Sequence, residues 1–272
     1  MALPAGAAED PVAKEAFGAA RTPAPLEARV FGSYARGCLA GGVALPADGP
    51  AWQVMRPSRN RAWGHPQLVS FLSDFARKVP AINGWPGLLV GDLAQPRGGP
   101  MLTGHASHQV GLDADVWLTP MPRRTLTTEE RESIAATNLV ADDWNDVNPA
   151  VWTAQHLALI RAAASQPGVE RIFVNPAIKK ALCREAGADR GWLRQVRPMY
   201  GHNYHMHIRL ACPAGDTECA AQARTSPGDG CGKELDWWFT AEARTPKKGG
   251  KPPPPMRLSA LPPGCRIVLQ AR

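Results

Sequence analysis

Apolar positions along the chain recur with two different periods. In "PQLVSFLSDFARKV", Leu68, Phe71, Leu72, Phe75 and Val79 follow helical spacing, which predicts an amphipathic helix. "PGLLVGDL" is a short apolar run closed by the Gly-rich turn "PRGGP", and reads as a buried strand. "TTEERESIAA" opens with Thr and Glu residues suited to a helix N-terminus, and "NPAVWTAQHLALIRAAAS" is a second strong helix. "VERIFVNPAIKKAL" reads as a strand, a turn and a helix. "YHMHIRLAC" alternates cleanly and predicts a strand. "LDADVW" alternates too, with Asp113, Asp115 and Trp117 on one face and Leu112, Ala114 and Val116 on the other.

Strands and helices intermix without a regular βαβ rhythm, and no G-x-G-x-x-G follows a strand. The expected class is α+β: a central, mostly antiparallel sheet flanked by helices and disulfide-tied loops. Residues 1–30, rich in Ala and Pro, are expected to be a loosely ordered extension. Residues 31–240 form the expected globular domain, and 241–272 a Pro-rich tail. Cys265 near the end of that tail suggests that it is tied back to the body. No internal repeat is present.

Composition narrows the class. The 272 residues are 44% hydrophobic, enough for a substantial core. No apolar run approaches the ~20 residues of a membrane-spanning helix. The net charge of +7 favours anionic partners: nucleic acid, anionic lipid or an acidic cell-wall polymer. "RPSRNR" and "PKKGGK" are the dense basic clusters, and neither interleaves aromatics, which argues against nucleic acid. The six cysteines contain no C-x-x-C pair, and their even count and wide spacing suit three disulfides in an oxidising compartment. Fifteen pairings are open on spacing alone. The opening "MALPAGAAEDPVAKEAF" lacks the basic start and apolar stretch of a signal peptide, so the expectation of export rests on cysteine usage.

Five of the seven histidines fall in two short segments: His105 and His108, then His202, His205 and His207. On a strand, His205, His207 and Arg209 share one face and Met206, Ile208 and Leu210 the other. On a helix the two histidines of H-x-H would lie roughly 200° apart, so a strand makes the pair useful. His108 and Asp115 would be more than ~20 Å apart on a straight strand. They converge only if the chain bends, and Gly111 permits that. One His and one Asp here, with one His from the second segment, would supply three ligands and leave a fourth position open, as in catalytic zinc sites. Asp113 suits the role of acceptor behind a ligand histidine, and Asp92 could line the site from a strand end. His65 and His156 read as structural helix residues. No G-x-S-x-G supports a serine hydrolase.

His108, Gly111 and Asp115, with His205-Met206-His207 far downstream, resemble the H-x6-D and H-x-H motifs of the LAS metallopeptidases. "GHASHQVGLDADVW", "RIFVNPAIKKALC", "WLRQVRP", "HNYHMHIRL" and "GDGCG" are similar to the penicillin-insensitive murein endopeptidases within that group, and "FGSYARGC", "WQVMRP" and "GHPQLV" extend the likeness. It covers roughly residues 30 to 240 and the cysteine of the tail. The resemblance implies a periplasmic zinc peptidase acting on the D-alanyl–meso-diaminopimelyl amide that cross-links peptidoglycan. It also implies the disulfides Cys38–Cys265, Cys183–Cys231 and Cys212–Cys219.

On this resemblance His108, Asp115 and His207 bind one zinc ion. His205 is the first choice of general base because it shares a strand face with His207, and His202 is the second. Related D-Ala-D-Ala peptidases place a glutamate three residues before the last ligand, where this chain has Tyr204. Family members can hold a second metal with a His at the position of His105 and an Asp and a His further on. The corresponding stretch here is "DDWND", with Asp143, and with Asp146 replacing the histidine. The competing functions are a zinc D,D- or L,D-carboxypeptidase on stem peptides and a non-catalytic zinc-containing cell-wall binder.

Overall fold

The computed structural model describes residues 10–245 and 254–272. The first nine residues and the Pro-rich stretch 246–253 of the predicted tail lie outside the described residues. The strands are β1 (Arg29–Ser33), β2 (Arg36–Ala40), β3 (Val43–Ala44), β4 (Asp48–Gly49), β5 (Trp52–Val54), β6 (Trp63–Gly64), β7 (Leu88–Val90), β8 (Asp113–Trp117), β9 (Val169–Val174), β10 (Val196–Pro198) and β11 (His205–Leu210). The helices are α1 (Ala13–Ala19), α2 (Pro66–Asn83), α3 (Thr128–Ser133), α4 (Ala154–Ala164), α5 (Pro176–Glu185), α6 (Lys233–Asp236), α7 (Ala241–Arg244) and α8 (Gly264–Gln270).

One seven-stranded sheet, in the order β10-β9-β11-β8-β7-β5-β4, dominates. The pairs β10–β9 and β5–β7 are parallel, and the other neighbours are antiparallel. The expected α+β class with a mostly antiparallel sheet is what the chain adopts. β8 and β11, the two strands with alternating His and Asp, lie side by side at its centre. Their apolar faces (Ala114, Val116, Met206, Ile208) enter one buried core with Leu68, Leu72, Phe75 and Val79 of α2, Leu159, Ile160 and Ala163 of α4, and Ile178 and Leu182 of α5. Helices therefore cover one face of the central strands and leave the other free for chemistry.

Local chemistry explains the helix ends. His65 caps α2 by accepting from the Gln67 N–H, Pro66 occupies the first turn, and Gly84 ends it at φ +78. Asn175 and Pro176 start α5 in the same way. Thr127 and Glu130 form a reciprocal capping box on α3. His156 serves a box with Thr153 at the start of α4, so both histidines read as structural are helix caps.

The termini differ from the sequence expectation. Residues 13–19, placed within a loosely ordered extension, form α1, and Phe17 is fully buried. The tail ends in α8 rather than continuing extended. Ala13, Phe17, Cys38, Leu258, Leu261, Cys265 and Val268 make a second apolar cluster. Sequence patterning missed α1 because seven residues show barely two turns of periodicity, and its partner lies more than 230 residues away. The disulfides are Cys38–Cys265, Cys183–Cys231 and Cys212–Cys219, the three pairs the resemblance implied.

Candidate metal centre

The site forms where β8 and β11 pair. Their register sets His207 opposite Asp115, His205 opposite Trp117 and Arg209 opposite Asp113. Alternation turns these six side chains to one face, away from the core. His105 and His108 enter from the preceding loop, which turns through left-handed conformations at Gly104, His108 and Gly111 (φ +82, +66 and +68). A Cβ at Gly111 would lie 2.6 Å from Leu39 Cδ2 and 2.8 Å from the His65 nitrogen, so the bend needs glycine for space as well as for conformation. His108 adopts the same region without that freedom. Its backbone N–H donates to Asp113 Oδ2 at 3.0 Å, which holds the strained turn in place.

Hydrogen bonds behind the histidines decide which ring nitrogens face inward. His108 Nδ1–H donates to the Leu93 carbonyl (2.8 Å), which leaves a lone pair on Nε2. His207 Nε2–H donates to Asp113 Oδ1 (2.9 Å), which leaves one on Nδ1. His105 Nε2 meets Asp92 Oδ2 at 3.0 Å, and its Nδ1 faces Asp115. Histidines that hold metals characteristically donate their other N–H to a carbonyl or carboxylate. Asp113 itself is fully buried, and Arg209 Nε donates to it at 2.7 Å.

The inward atoms converge on Asp115. His108 Nε2, His205 Nε2 and His207 Nδ1 lie 3.4, 3.5 and 3.5 Å from its Oδ1, and His105 Nδ1 lies 3.6 Å from its Oδ2. These gaps are long for hydrogen bonds. Donors sharing one ion at bonds of ~2.0–2.2 Å sit about 3.3–3.6 Å apart at the tetrahedral angle. His108 Nε2 and Asp115 Oδ1 are buried with no hydrogen-bond partner, a costly state that a cation between them would relieve. His105, His108 and Asp115 offer ligand atoms all within 4.8 Å of one another, so the cluster can hold a metal ion. The residues fit the group.

Burial opposes charge on His108, yet Asp115 beside it raises the imidazole above its ordinary value, so a cation there would compete with a proton for Nε2. Burial opposes ionisation of Asp115, yet His108 and His205 beside it hold its carboxyl well below the usual range. Burial likewise opposes charge on Asp113, and His207 and Arg209 keep it ionised. Burial pushes His205 and His207 down to about 4, so both present neutral lone pairs. Burial also lowers His202, whose Nδ1–H donates to the Tyr200 carbonyl at 3.0 Å and leaves Nε2 free.

The structure thus brings together His105, His108, Asp115, His205 and His207, with His202 ring-to-ring with His205 at 4.8 Å. Asp143 and Asp146 stand apart from this group. Asp143 accepts from Asn145, and Asp146 accepts from Arg184 at 2.8 Å. The cleft has two lobes, of about 330 and 420 Å³, which share Arg59, Asp92, His105, Tyr204 and His205. Sequence reading missed Arg59 and Arg61: "RPSRNR" registered only as charge, because its approach to Asp92 spans more than 30 residues.

A sheet whose central strands carry a buried His/Asp cluster with orphaned lone pairs defines a metalloenzyme-type centre. The family model for penicillin-insensitive murein endopeptidase matches residues 30–270. Curated relatives with that name include one from Klebsiella pneumoniae subsp. pneumoniae, 46% identical over 89% of this chain and 86% of that protein. One from Yersinia enterocolitica is 46% identical over 89% and 85%, and one from Escherichia coli 44% over 91% and 88%. The chain belongs to the penicillin-insensitive murein endopeptidase family.

Proposed function

We propose that this chain is a zinc-dependent murein endopeptidase that hydrolyses D-alanyl–meso-diaminopimelyl cross-links of peptidoglycan in the periplasm. The observation that carries the reading is the convergence of His108 Nε2 and His207 Nδ1 on the unpartnered Asp115 Oδ1. These three residues would hold the ion. Zinc bound there supplies a Lewis acid that polarises the scissile carbonyl and acidifies water. Every other task falls to side chains. Leu93 and Asp113 fix the tautomers of the two histidine ligands. Asp115 contributes negative charge that stays ionised at neutral pH.

His205 is the proposed general base. It lines both lobes of the cleft, is neutral, and keeps an unpartnered Nδ1. It would take the proton from water and return it to the leaving amine. His202, with Nε2 free, is the neighbour able to share that proton. One ion rather than two is favoured, because Asp143 and Asp146 already have their own partners. Periplasmic residence rests on three disulfides, which form and persist in oxidising compartments. The +7 charge favours an acidic polymer.

Purified protein incubated with cross-linked muropeptide dimers is expected to yield monomers. Loss of terminal D-Ala alone would replace this reading with a carboxypeptidase, and binding without cleavage would replace it with a wall-binding domain.

A further inference from the structure

Charge does not balance in the cleft wall. Asp92 Oδ2 receives three partners: Arg61 Nη1 at 3.0 Å, Arg59 Nη1 at 3.1 Å and His105 Nε2 at 3.0 Å. Arg61 is committed at both terminal nitrogens, since its Nη1 donates to Asp92 and its Nη2 to the Thr103 carbonyl and hydroxyl, and its side chain is only 12% exposed. One carboxylate and one buried guanidinium already cancel. Arg59 adds a second positive charge with 47% of its side chain exposed. Among the described residues its Nε and Nη2 have no protein partner. Arg56 does not share this property, because both its terminal nitrogens donate to the carbonyls of Arg131 and Ile134.

The backbone holds Arg59 firmly in place. It ends a single 3-10 turn, Pro57–Arg59, bracketed by two left-handed non-glycine residues, Arg56 at φ 57 and Asn60 at φ 53. Strain of this kind persists only where surroundings enforce it, and it clusters at functional sites. Here Ser58 is held by Glu132 through both its N–H and its hydroxyl, and Asn60 accepts from Trp63 Nε1. The result is a cation on a rigid turn, tethered at one nitrogen, and lining both lobes of the cleft beside His105 and His205.

Resting on the function proposed above, the substrate has a matching feature. In a D-alanyl–diaminopimelyl amide the amine component is an α-amino acid centre. The carbon bonded to the scissile nitrogen therefore bears a free carboxylate. We propose that Arg59 binds this carboxylate and so sets the specificity of the cleft for cross-links whose leaving amine is acidic. A guanidinium pairs with a carboxylate through two parallel N–H bonds, and the two unpartnered nitrogens of Arg59 are the pair required.

The test uses two cross-linked dimers that differ only there, one with the free carboxylate and one with a carboxamide. Wild-type protein is expected to prefer the acid by about ten- to a hundredfold in kcat/KM, mostly through KM, the scale of a charge-assisted hydrogen bond. R59A is expected to close that gap, and R59K to reopen part of it, with zinc content unchanged in both. Wild type that cleaves both dimers equally overturns the assignment, as does R59A that keeps the preference. Equal loss on both dimers in R59A also overturns it, by showing that Arg59 only steadies Asp92. Wild type that cleaves neither overturns the function itself and the assignment with it.

Discussion

Asp113 does not face the cleft, yet it governs what the cleft contains. It accepts from His207 Nε2, from Arg209 and from the His108 backbone, so one buried carboxylate sets one histidine's tautomer and the other's turn. Asp113→Asn is expected to weaken zinc binding by roughly 10- to 100-fold. Competition against a chromophoric chelator measures this, and unchanged affinity would remove Asp113 from the account. His205→Gln should separate holding from chemistry: zinc retained, turnover of muropeptide dimers lower by about 10²–10⁴. Full-rate digestion by that variant would reject His205 as the base. A third residue acts on stability. Lys179 is fully buried and donates to the carbonyls of Leu193 and Asp229. Burial, with Arg197 nearby, pushes it from the usual 10.5 down to about 7. Between those values the unfolded chain binds more protons than the folded one, so this residue's contribution to stability rises with pH from about 7 towards 10.5. Urea midpoints at pH 7 and pH 9 should therefore show a smaller rise in Lys179→Met than in wild type.

At the scale of elements, the site depends on two strands and a bend. Period-two alternation in "LDADVW" and "HMHIRL" was legible because each strand buries one face and frees the other. The bend at Gly111 followed from the length of a straight strand, and φ +68 is the result. That His108 itself sits at φ +66 had no sequence signal, since the carboxylate that steadies it is supplied by the fold. Nor did local pattern place β8 next to β11, separated by the whole of α3, α4, β9, α5 and β10. The family resemblance pointed to Asp143 and Asp146 as further metal partners, and in the fold Asn145, Arg184 and Lys180 engage them. Gly111→Ala tests the bend directly. Its Cβ would meet Leu39 and the His65 backbone in a conformation alanine resists, so stability should fall by about 1–3 kcal/mol. Zinc affinity should fall with it. A variant with wild-type melting and metal content would show the loop to be more forgiving than this packing implies.

At the scale of the molecule, distant segments are fastened together. Cys38–Cys265 joins residues 227 apart and pins α8 beneath β2. Removing it by paired serine substitution should cost about 2–4 kcal/mol, read as a lower denaturation midpoint that reductant no longer shifts further at that bond. The chain ends also meet without covalent help. Val12 bridges Arg257, the Ala13 N–H donates to Met256 O at 2.9 Å, and the Leu258 N–H donates to Pro11 O at 3.0 Å. Phe17 fills the space that a side chain at Gly99 would need, and Arg97 donates to the carbonyls of Val268 and Leu269. Gly99 lies at the start of the loop that carries His105 and His108.

That meeting of ends gives the molecule a sense of time. A chain synthesised or threaded from its N-terminus has α1, β8 and β11 in hand well before residues 256–270 arrive, yet only those residues fasten α1, which backs the loop of His105 and His108 through Phe17. Protein stopped before Met256 should fold its central sheet but bind zinc more weakly than the full chain, and a separately supplied 254–272 peptide should restore part of that affinity.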